Sequence, residues 1–341
     1  MNDLGPILEL WRRLESEDAD YVLATILRVE GPSYRKPGAR MLIAADGRRT
    51  GTISGGCLED DVARRAQWLA KSGPVISQFS TMDDDGERPY GSGCGGVLHI
   101  LLEGRQTAAP LLAALDEAYR GRNPLSIATA LSGSTVTRAT AHSPGALIAP
   151  PDATLEHAPA RTGLWVFGAG NDAQPLARMA RELGYFVAVA DGRANLATAA
   201  RFPLSDEVHA LAIEKYPAAP LPFTLKPNDA ILLMTHSFEQ DARLLGSLIQ
   251  SPAIFNQNFI GVLGPKRRTR ELLDEAARLL GINAAPVQID TWLAQLHAPV
   301  GLDLAAADPA SIAVSILAEI EQAQKQLRGL KATARPLRQV R

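Results

Sequence analysis

Apolar residues in the first half of the chain recur with two different periods. Near the N-terminus four of them recur at helical spacing and predict an amphipathic helix: Ile7, Leu8, Trp11 and Leu14. Five apolar runs predict strands: residues 21–29, 41–45, 50–53, 75–81 and 97–102. Two further helices are predicted, one after residue 57 and one over residues 108–119. The first half is therefore expected to form a mixed α/β domain.

From residue 163 the pattern changes to short apolar runs separated by helical segments. Four runs predict strands: residues 164–167, 186–190, 230–234 and 259–262. This alternation indicates a doubly wound parallel sheet of the Rossmann type. Residues 149–162 contain three prolines and little periodicity, and we interpret them as a linker between domains spanning 1–148 and 163–327. The basic tail, residues 328–341, is predicted to be disordered.

Composition narrows the functional classes. The chain has 35 basic and 37 acidic residues and a net charge of −2, which argues against nucleic-acid binding because such proteins normally carry a basic excess. No apolar run approaches the roughly 20 residues that span a bilayer, and the N-terminus lacks a signal-peptide pattern. Two cysteines are too few for a disulfide scaffold. These features predict a cytoplasmic protein without a membrane span.

The second half contains a dinucleotide fingerprint. Gly168, Gly170 and Ala173 form its G-x-G-x-x-A pattern between a predicted strand and a helix. The glycines permit a tight turn and a close approach to a pyrophosphate, which the helix N-terminus would bind. Asp191 ends the next strand, where a carboxylate would bind a ribose hydroxyl. Arg193 would hold a 2′-phosphate or be solvated. Alternatively, the glycines serve strand–helix packing and no nucleotide binds.

Both cysteines lie in glycine-rich segments. Cys57 follows two glycines at a predicted helix start, and a helix start stabilises a thiolate. The negative charges of Glu59 and the two aspartates after it have the opposite effect, because they raise the pKa of a nearby thiol. Cys94 lies among four glycines in residues 91–96, which suggests a backbone shaped around a ligand. The alternatives are a small buried cysteine and a flexible loop.

Basic residues and one histidine are weaker candidates. Lys266 and Arg267 follow a glycine-containing turn at a predicted helix start, which suits an anion. Arg35 and Lys36 lie in a polar loop and could serve the same purpose. All four could equally be solvated. His236 follows a predicted strand and is a candidate acid or base.

Segments in both halves resemble the XdhC/CoxI family, in the same order along the chain. The matching segments are residues 31–41, 51–59, 94–96, 166–170, 235–236, 261–264, 297–303 and 312–320. The resemblance implies a maturation protein for molybdenum hydroxylases such as xanthine dehydrogenase. Such a protein binds molybdenum cofactor, protects it while a terminal oxygen is exchanged for sulfur, and delivers it to the apo-hydroxylase. A cysteine desulfurase partner and a homodimer are also implied.

The resemblance turns these candidates into a hypothesis. Cys57 would bind molybdenum or sulfur with Cys94 beside it, and Glu59 would tune or protonate that site. The remaining cofactor-binding candidates are Arg35, Lys36, Gly55, Gly56, Gly168, Gly170, Ala173, Asp191, Lys266 and Arg267. One alternative is an NAD(P)-dependent oxidoreductase with His236 as acid or base. Another is a scaffold that bridges desulfurase and hydroxylase. The client enzyme, the form of the cofactor and the nucleotide stay open.

Overall fold

A computed structural model describes residues 3–56, 58–80 and 96–327. Cys57, Cys94 and the tail 328–341 lie outside the described residues, so what the sequence predicts for them stays a prediction. The chain divides after Arg161 into two compact units. Within the described ranges, no helix is long and apolar enough to cross a membrane.

The N-terminal unit is built on an antiparallel five-stranded sheet of order β3-β2-β1-β5-β4, beside a three-stranded sheet of order β7-β6-β8. Its elements are α1 (Leu4–Ser16), β1 (Tyr21–Glu30), β2 (Arg40–Ala44), β3 (Arg49–Gly51), α2 (Glu59–Leu69), β4 (Val75–Ser80), β5 (Val97–Gly104), α3 (Arg105–Gly121), β6 (Leu125–Ser132), β7 (Thr135–Ala141) and β8 (Thr154–Ala158). One-turn 3₁₀ helices lie at Ala70–Ser72 and Pro144–Ala146. Helices α1 and α3 pack on one face of the larger sheet and α2 packs on the other. The mixed α/β prediction is confirmed.

Part of the predicted linker, residues 149–162, is a strand. Strand β8 pairs antiparallel with β6, from Leu125 opposite Ala158 to Thr129 opposite Thr154. It lies at the edge of its sheet, and of its five residues only Ala158 is fully buried. A short edge strand with one weakly apolar face leaves little periodicity, so the prolines around it dominated the sequence pattern.

The C-terminal unit has the predicted Rossmann architecture. Its elements are β9 (Gly163–Phe167), α4 (Ala173–Glu182), β10 (Phe186–Asp191), β11 (Glu207–Ala210), a 3₁₀ turn (Ile213–Lys215), β12 (Ala230–Leu233), α5 (Phe238–Ile249), α6 (Pro252–Gln257), β13 (Phe259–Val262), α7 (Lys266–Leu279), α8 (Pro286–Gln295) and α9 (Pro309–Leu327). Five parallel strands have the order β11-β10-β9-β12-β13. Apolar cores on both faces of the sheet explain why its four predicted strands are uniformly hydrophobic. Strand β11 was not predicted because it is a partly exposed edge strand with two polar residues in four.

Candidate functional site

One edge of the larger N-terminal sheet gathers the loops that carry the sequence motifs. Strands β1 and β3 end at this edge, whereas their antiparallel neighbours β2 and β5 begin there. Three parts of the chain therefore lie together: the loop over residues 31–39, the turn that follows Gly51, and the residue Gly96. A Cβ atom on Gly96 would lie 2.2 Å from the carbonyl oxygen of Pro32, so this approach requires glycine.

Asp3, just before helix α1, connects two of these loops. Its Oδ2 atom accepts a hydrogen bond from the Thr52 hydroxyl at 3.0 Å and forms an ion pair with Arg35. The guanidinium predicted to bind cofactor is therefore held by an internal carboxylate. Lys36 is exposed and forms no ion pair within the described chain.

Glu59 organises the turn that leads to Cys57. Its Oε1 atom accepts the N–H groups of Ile53 at 3.1 Å and Ser54 at 2.8 Å. Its Oε2 atom accepts the N–H of Gly56 at 3.1 Å and the Ser54 hydroxyl. Burial opposes the charge of Glu59, but the hydrogen bonds from Ser54 and the backbone outweigh it and lower the pKa of this carboxyl. Glu59 is therefore an ionised acceptor that shapes the turn.

The outer side of this turn has no contact with other described residues. Gly55 and Gly56 are exposed, and a Cβ atom on either would meet no atom of the described chain within 4 Å. The φ of Gly56 is +108°, a conformation that disfavours any other residue. The next described residue after the turn is Leu58, the N-cap of α2. Among the described residues, none fills the space beside Gly55 and Gly56.

The acidic charges after Cys57 each have a partner. The Glu59 carboxylate is held by backbone N–H groups, Asp60 pairs with Arg49, and Asp61 pairs with Arg65. The sequence suggested that these three charges oppose a thiolate at the helix start. The ion pairs of Asp60 and Asp61 weaken that opposition, since a paired charge has a smaller field at its neighbours, whereas Glu59 keeps its negative charge.

In the C-terminal unit, the first fingerprint glycine is required by packing. Gly168 has a φ of +130°, and a Cβ atom there would lie 2.3 Å from the carbonyl oxygen of Met234. A Cβ atom on Gly170 would lie 2.5 Å from the Oδ1 atom of Asp172. Ala173 begins α4 and is buried.

Asp191 is saturated by internal hydrogen bonds. Its Oδ2 atom accepts the Ala169 N–H and Nη2 of Arg193, both at 2.7 Å. Its Oδ1 atom accepts the N–H and Nε of Arg193 at 2.8 and 3.0 Å. Burial opposes its charge, but Arg193 and the N–H of Ala169 outweigh burial and lower the pKa of Asp191. A ribose hydroxyl would have to displace one of these donors.

His236 lies next to the start of α4. Its Nε2 atom is 2.8 Å from Oδ2 of Asp172, whose Oδ1 accepts the N–H of Ala173 at 3.1 Å. The φ of His236 is +60°, an uncommon conformation for a residue with a side chain. An internal carboxylate therefore stands at the helix start where a pyrophosphate would be expected.

The basic residues of α7 divide into two groups. Lys266 and Arg267 are exposed, and Arg267 has only a distant contact with Glu271, at 3.7 Å. Arg268 turns inward and donates to Asp241 at 2.7 Å. The first two, which the sequence singled out, are surface cations in this structure. In the described ranges no cluster of three or more histidine, cysteine or acidic residues is arranged to hold a metal ion.

Two family models match the chain. The model of the XdhC and CoxI family covers residues 14–80, and that of the XdhC Rossmann domain covers residues 164–320. A protein of Bacillus subtilis strain 168, named as a probable xanthine dehydrogenase subunit, is 31% identical over 92% of this chain and 96% of its own. The chain belongs to the XdhC and CoxI family.

Two further relatives extend this similarity. A molybdenum cofactor insertion chaperone of Escherichia coli K12, PaoD, is 25% identical over 88% of this chain and 82% of its own. A crystal structure from Bacillus halodurans, described as that of a xanthine dehydrogenase, superposes with a TM-score of 0.73. It is 30% identical and the alignment covers 96% of this chain and 98% of the other. Nearly the whole of this XdhC/CoxI-family chain can therefore be aligned with these relatives.

Several residues that shape these sites were not singled out from the sequence. Ser54 stands beside the recognised glycines, and its hydroxyl accepts the N–H groups of Gly56 and Leu58 at 3.2 and 3.1 Å. Its position before a Gly-Gly pair was an available turn signal. Asp3 and Asp172 had no comparable signal, since their partners Arg35 and His236 are 32 and 64 residues away.

Proposed function

We propose that this protein is a chaperone that binds molybdenum cofactor and inserts it into a molybdenum hydroxylase. The observation that carries the proposal is the open Gly55-Gly56 turn, which the buried Glu59 carboxylate holds in place next to Cys57. A relative that covers most of the chain is named as an insertion chaperone of this kind, and another is named as part of a xanthine dehydrogenase.

The chemistry of the turn suits this cargo. A thiolate is a soft ligand, and soft ligands suit thiophilic metals. In our proposal Cys57 supplies that thiolate to molybdenum or to its sulfur, and Cys94 is a second thiol at the same site. The helix start favours an ionised Cys57, and the ion pairs of Asp60 and Asp61 reduce the opposition of these two acidic charges to it. Support of cofactor sulfuration with a cysteine desulfurase, and a homodimeric state, belong to the same proposal and rest on the family resemblance.

The NAD(P)-dependent oxidoreductase receives less support. Asp191, the expected ribose ligand, has both oxygens engaged by Ala169 and Arg193. Asp172 places a negative charge at the start of α4, where it would repel a pyrophosphate. Titration calorimetry with NADH and NADPH tests this alternative. Stoichiometric binding would revive it and would require Asp172 and Arg193 to move.

A cofactor-retention assay tests the main proposal. Purified protein is mixed with molybdenum cofactor and desalted, and retained molybdenum and pterin are measured. We expect about one cofactor per chain for the wild type and a large loss for Cys57→Ser, which keeps the size of the side chain but not its softness. Ser134→Ala, in the exposed turn between β6 and β7, is the control and should retain cofactor normally.

Insertion is measured in the same series by activation of an apo-hydroxylase. Wild-type protein should increase activation, and Cys57→Ser should not. Retention and activation that are unchanged by Cys57→Ser would show that the thiol has no role. Activation without any retained cofactor would favour the scaffold alternative instead.

A further inference from the structure

The N-terminal unit contains a cleft outside the Gly55-Gly56 turn. It has a volume of about 260 Å³ and lies between the start of α1, the loop over residues 31–39 and strand β8. One wall is apolar and includes Ile7, Leu115 and Ala158, all of which belong to the buried core. The other wall carries positive charge from Arg35, Lys36 and Arg40. A cleft with one apolar and one cationic wall suits an anion with a hydrophobic body.

Positive charge exceeds negative charge in this cleft. Arg40 is 6% exposed and is held by both carboxylate oxygens of Glu156, at 2.7 and 2.6 Å. Arg35 is paired with Asp3. Lys36 also lines the cleft and has no such counter-ion in the part of the chain that the structure describes. The lining therefore has one cation more than its two carboxylates neutralise.

Two buried donors in the lining lack an acceptor. The Nε atoms of Arg35 and Arg40 are both shielded from solvent and have no hydrogen-bond partner in the described chain. Buried polar atoms are rarely left unpaired, and a guanidinium can only donate. No atom of the described chain supplies the oxygen acceptor that both donors lack. This observation is independent of the charge balance and points to the same class of ligand.

We propose that this cleft binds a planar heterocycle that carries an anionic group. Lys36 binds the anion beside the guanidinium groups that Asp3 and Glu156 hold, and the ring lies against the apolar wall with Tyr34 stacked on it at the rim. Tyr34 lines the cleft and is 72% exposed, which leaves a ring face free for stacking. The volume is slightly below the range of about 300–1,000 Å³ typical of drug-sized ligands, so the cleft fits one end of a larger molecule.

This inference deepens the proposed function and rests on it. The organic part of molybdenum cofactor is a pyranopterin that carries a phosphate, which is a ligand of this class. Asp3 connects the cleft to the other site, because the same carboxylate holds Arg35 and the hydroxyl of Thr52, three residues before Gly55. The cleft would therefore anchor the organic end of the cofactor near the turn that leads to Cys57.

Binding of pterin-6-carboxylate to the full chain tests the cleft without molybdenum. This probe is a fluorescent heterocycle with one anionic group. We expect saturable quenching with wild-type protein and about tenfold weaker binding to Lys36→Gln, the loss of one charge-assisted contact. Tyr34→Ala should reduce both the affinity for the probe and the quenching, whereas Tyr34→Phe, which keeps the aromatic ring, should match the wild type. Lys71→Gln, an exposed lysine of the same unit outside the cleft, is the matched control.

The outcomes separate this inference from the chaperone proposal. If wild-type protein does not bind the probe, or if Lys36→Gln binds it as Lys71→Gln does, the cleft is not the site. If inorganic phosphate binds with the same Lys36 dependence and the pterin adds no affinity, the heterocycle part is wrong. Cofactor retention without probe binding would contradict ligand binding at the cleft and leave the chaperone proposal standing. Probe binding that depends on Lys36, without any cofactor retention, would support binding at the cleft and contradict the chaperone proposal.

Discussion

Removal of the Glu59 carboxylate should open the turn beside Cys57. Glu59 accepts the N–H groups of Ile53 and Ser54, which are 0% and 6% exposed, and that of the exposed Gly56. In Glu59→Ala water can replace the acceptor only at Gly56. Two buried N–H groups and the Ser54 hydroxyl then lose their acceptor. At about 1–3 kcal/mol for each N–H group, we expect these two groups to cost about 2–6 kcal/mol. Glu59→Gln retains one acceptor oxygen and should lose about half as much.

Amide hydrogen exchange over residues 52–59 measures this effect locally. A loss of about 2 kcal/mol corresponds to roughly 30-fold faster exchange at Ile53 and Ser54. Glu117→Gln, an exposed carboxylate on α3 of the same unit, should leave this exchange unchanged. Equal protection in Glu59→Ala and wild type would refute the assignment of Glu59 as the residue that holds the turn.

Two predictions concern the C-terminal unit. Gly168→Ala should lower the free energy of unfolding by about 2–4 kcal/mol. The reason is that the new Cβ atom would lie 2.3 Å from the Met234 carbonyl oxygen, at a residue whose φ is +130°. A thermal midpoint equal to that of the wild type would contradict this. Asp191 has a pKa lowered below 3.8, so its ionised form stabilises the folded state above that pH, and the contribution disappears as the pH falls through the folded-state pKa. The difference in unfolding free energy between wild type and Asp191→Asn should therefore be constant near neutral pH and shrink below pH 4, and urea titrations that show a constant difference down to pH 3 would contradict it.

Much of the fold was predictable because local periodicity survives where one or both faces of an element are buried. Four of the five strands of the C-terminal sheet and helix α1 were found in this way. Strands β8 and β11 were missed, since each is only partly buried and carries polar residues such as Glu156 and His209. Burial therefore matters more than position in the sheet: the edge strand β13 is fully buried and was predicted.

The candidate site was predictable only in part. Glycine runs reveal unusual backbone, and Gly56 and Gly168, both from such runs, have positive φ. The role of the neighbouring carboxylates was not recognisable, because a carboxylate can bind a ligand or a backbone N–H and its residue type is the same in both cases. Glu59 and Asp191 both have internal donors at their oxygens.

The sequence by itself determined the family, the two-part organisation and the Rossmann sheet, because these depend on periodicity and on motifs within short stretches of chain. Only the tertiary structure decided which charges are already paired. The contacts of Asp3 with Arg35, of Arg40 with Glu156 and of Asp172 with His236 join residues 32 to 116 positions apart. Such pairs form when the fold brings distant strands and helix ends together, and nothing in local sequence specifies which partner each charge will meet.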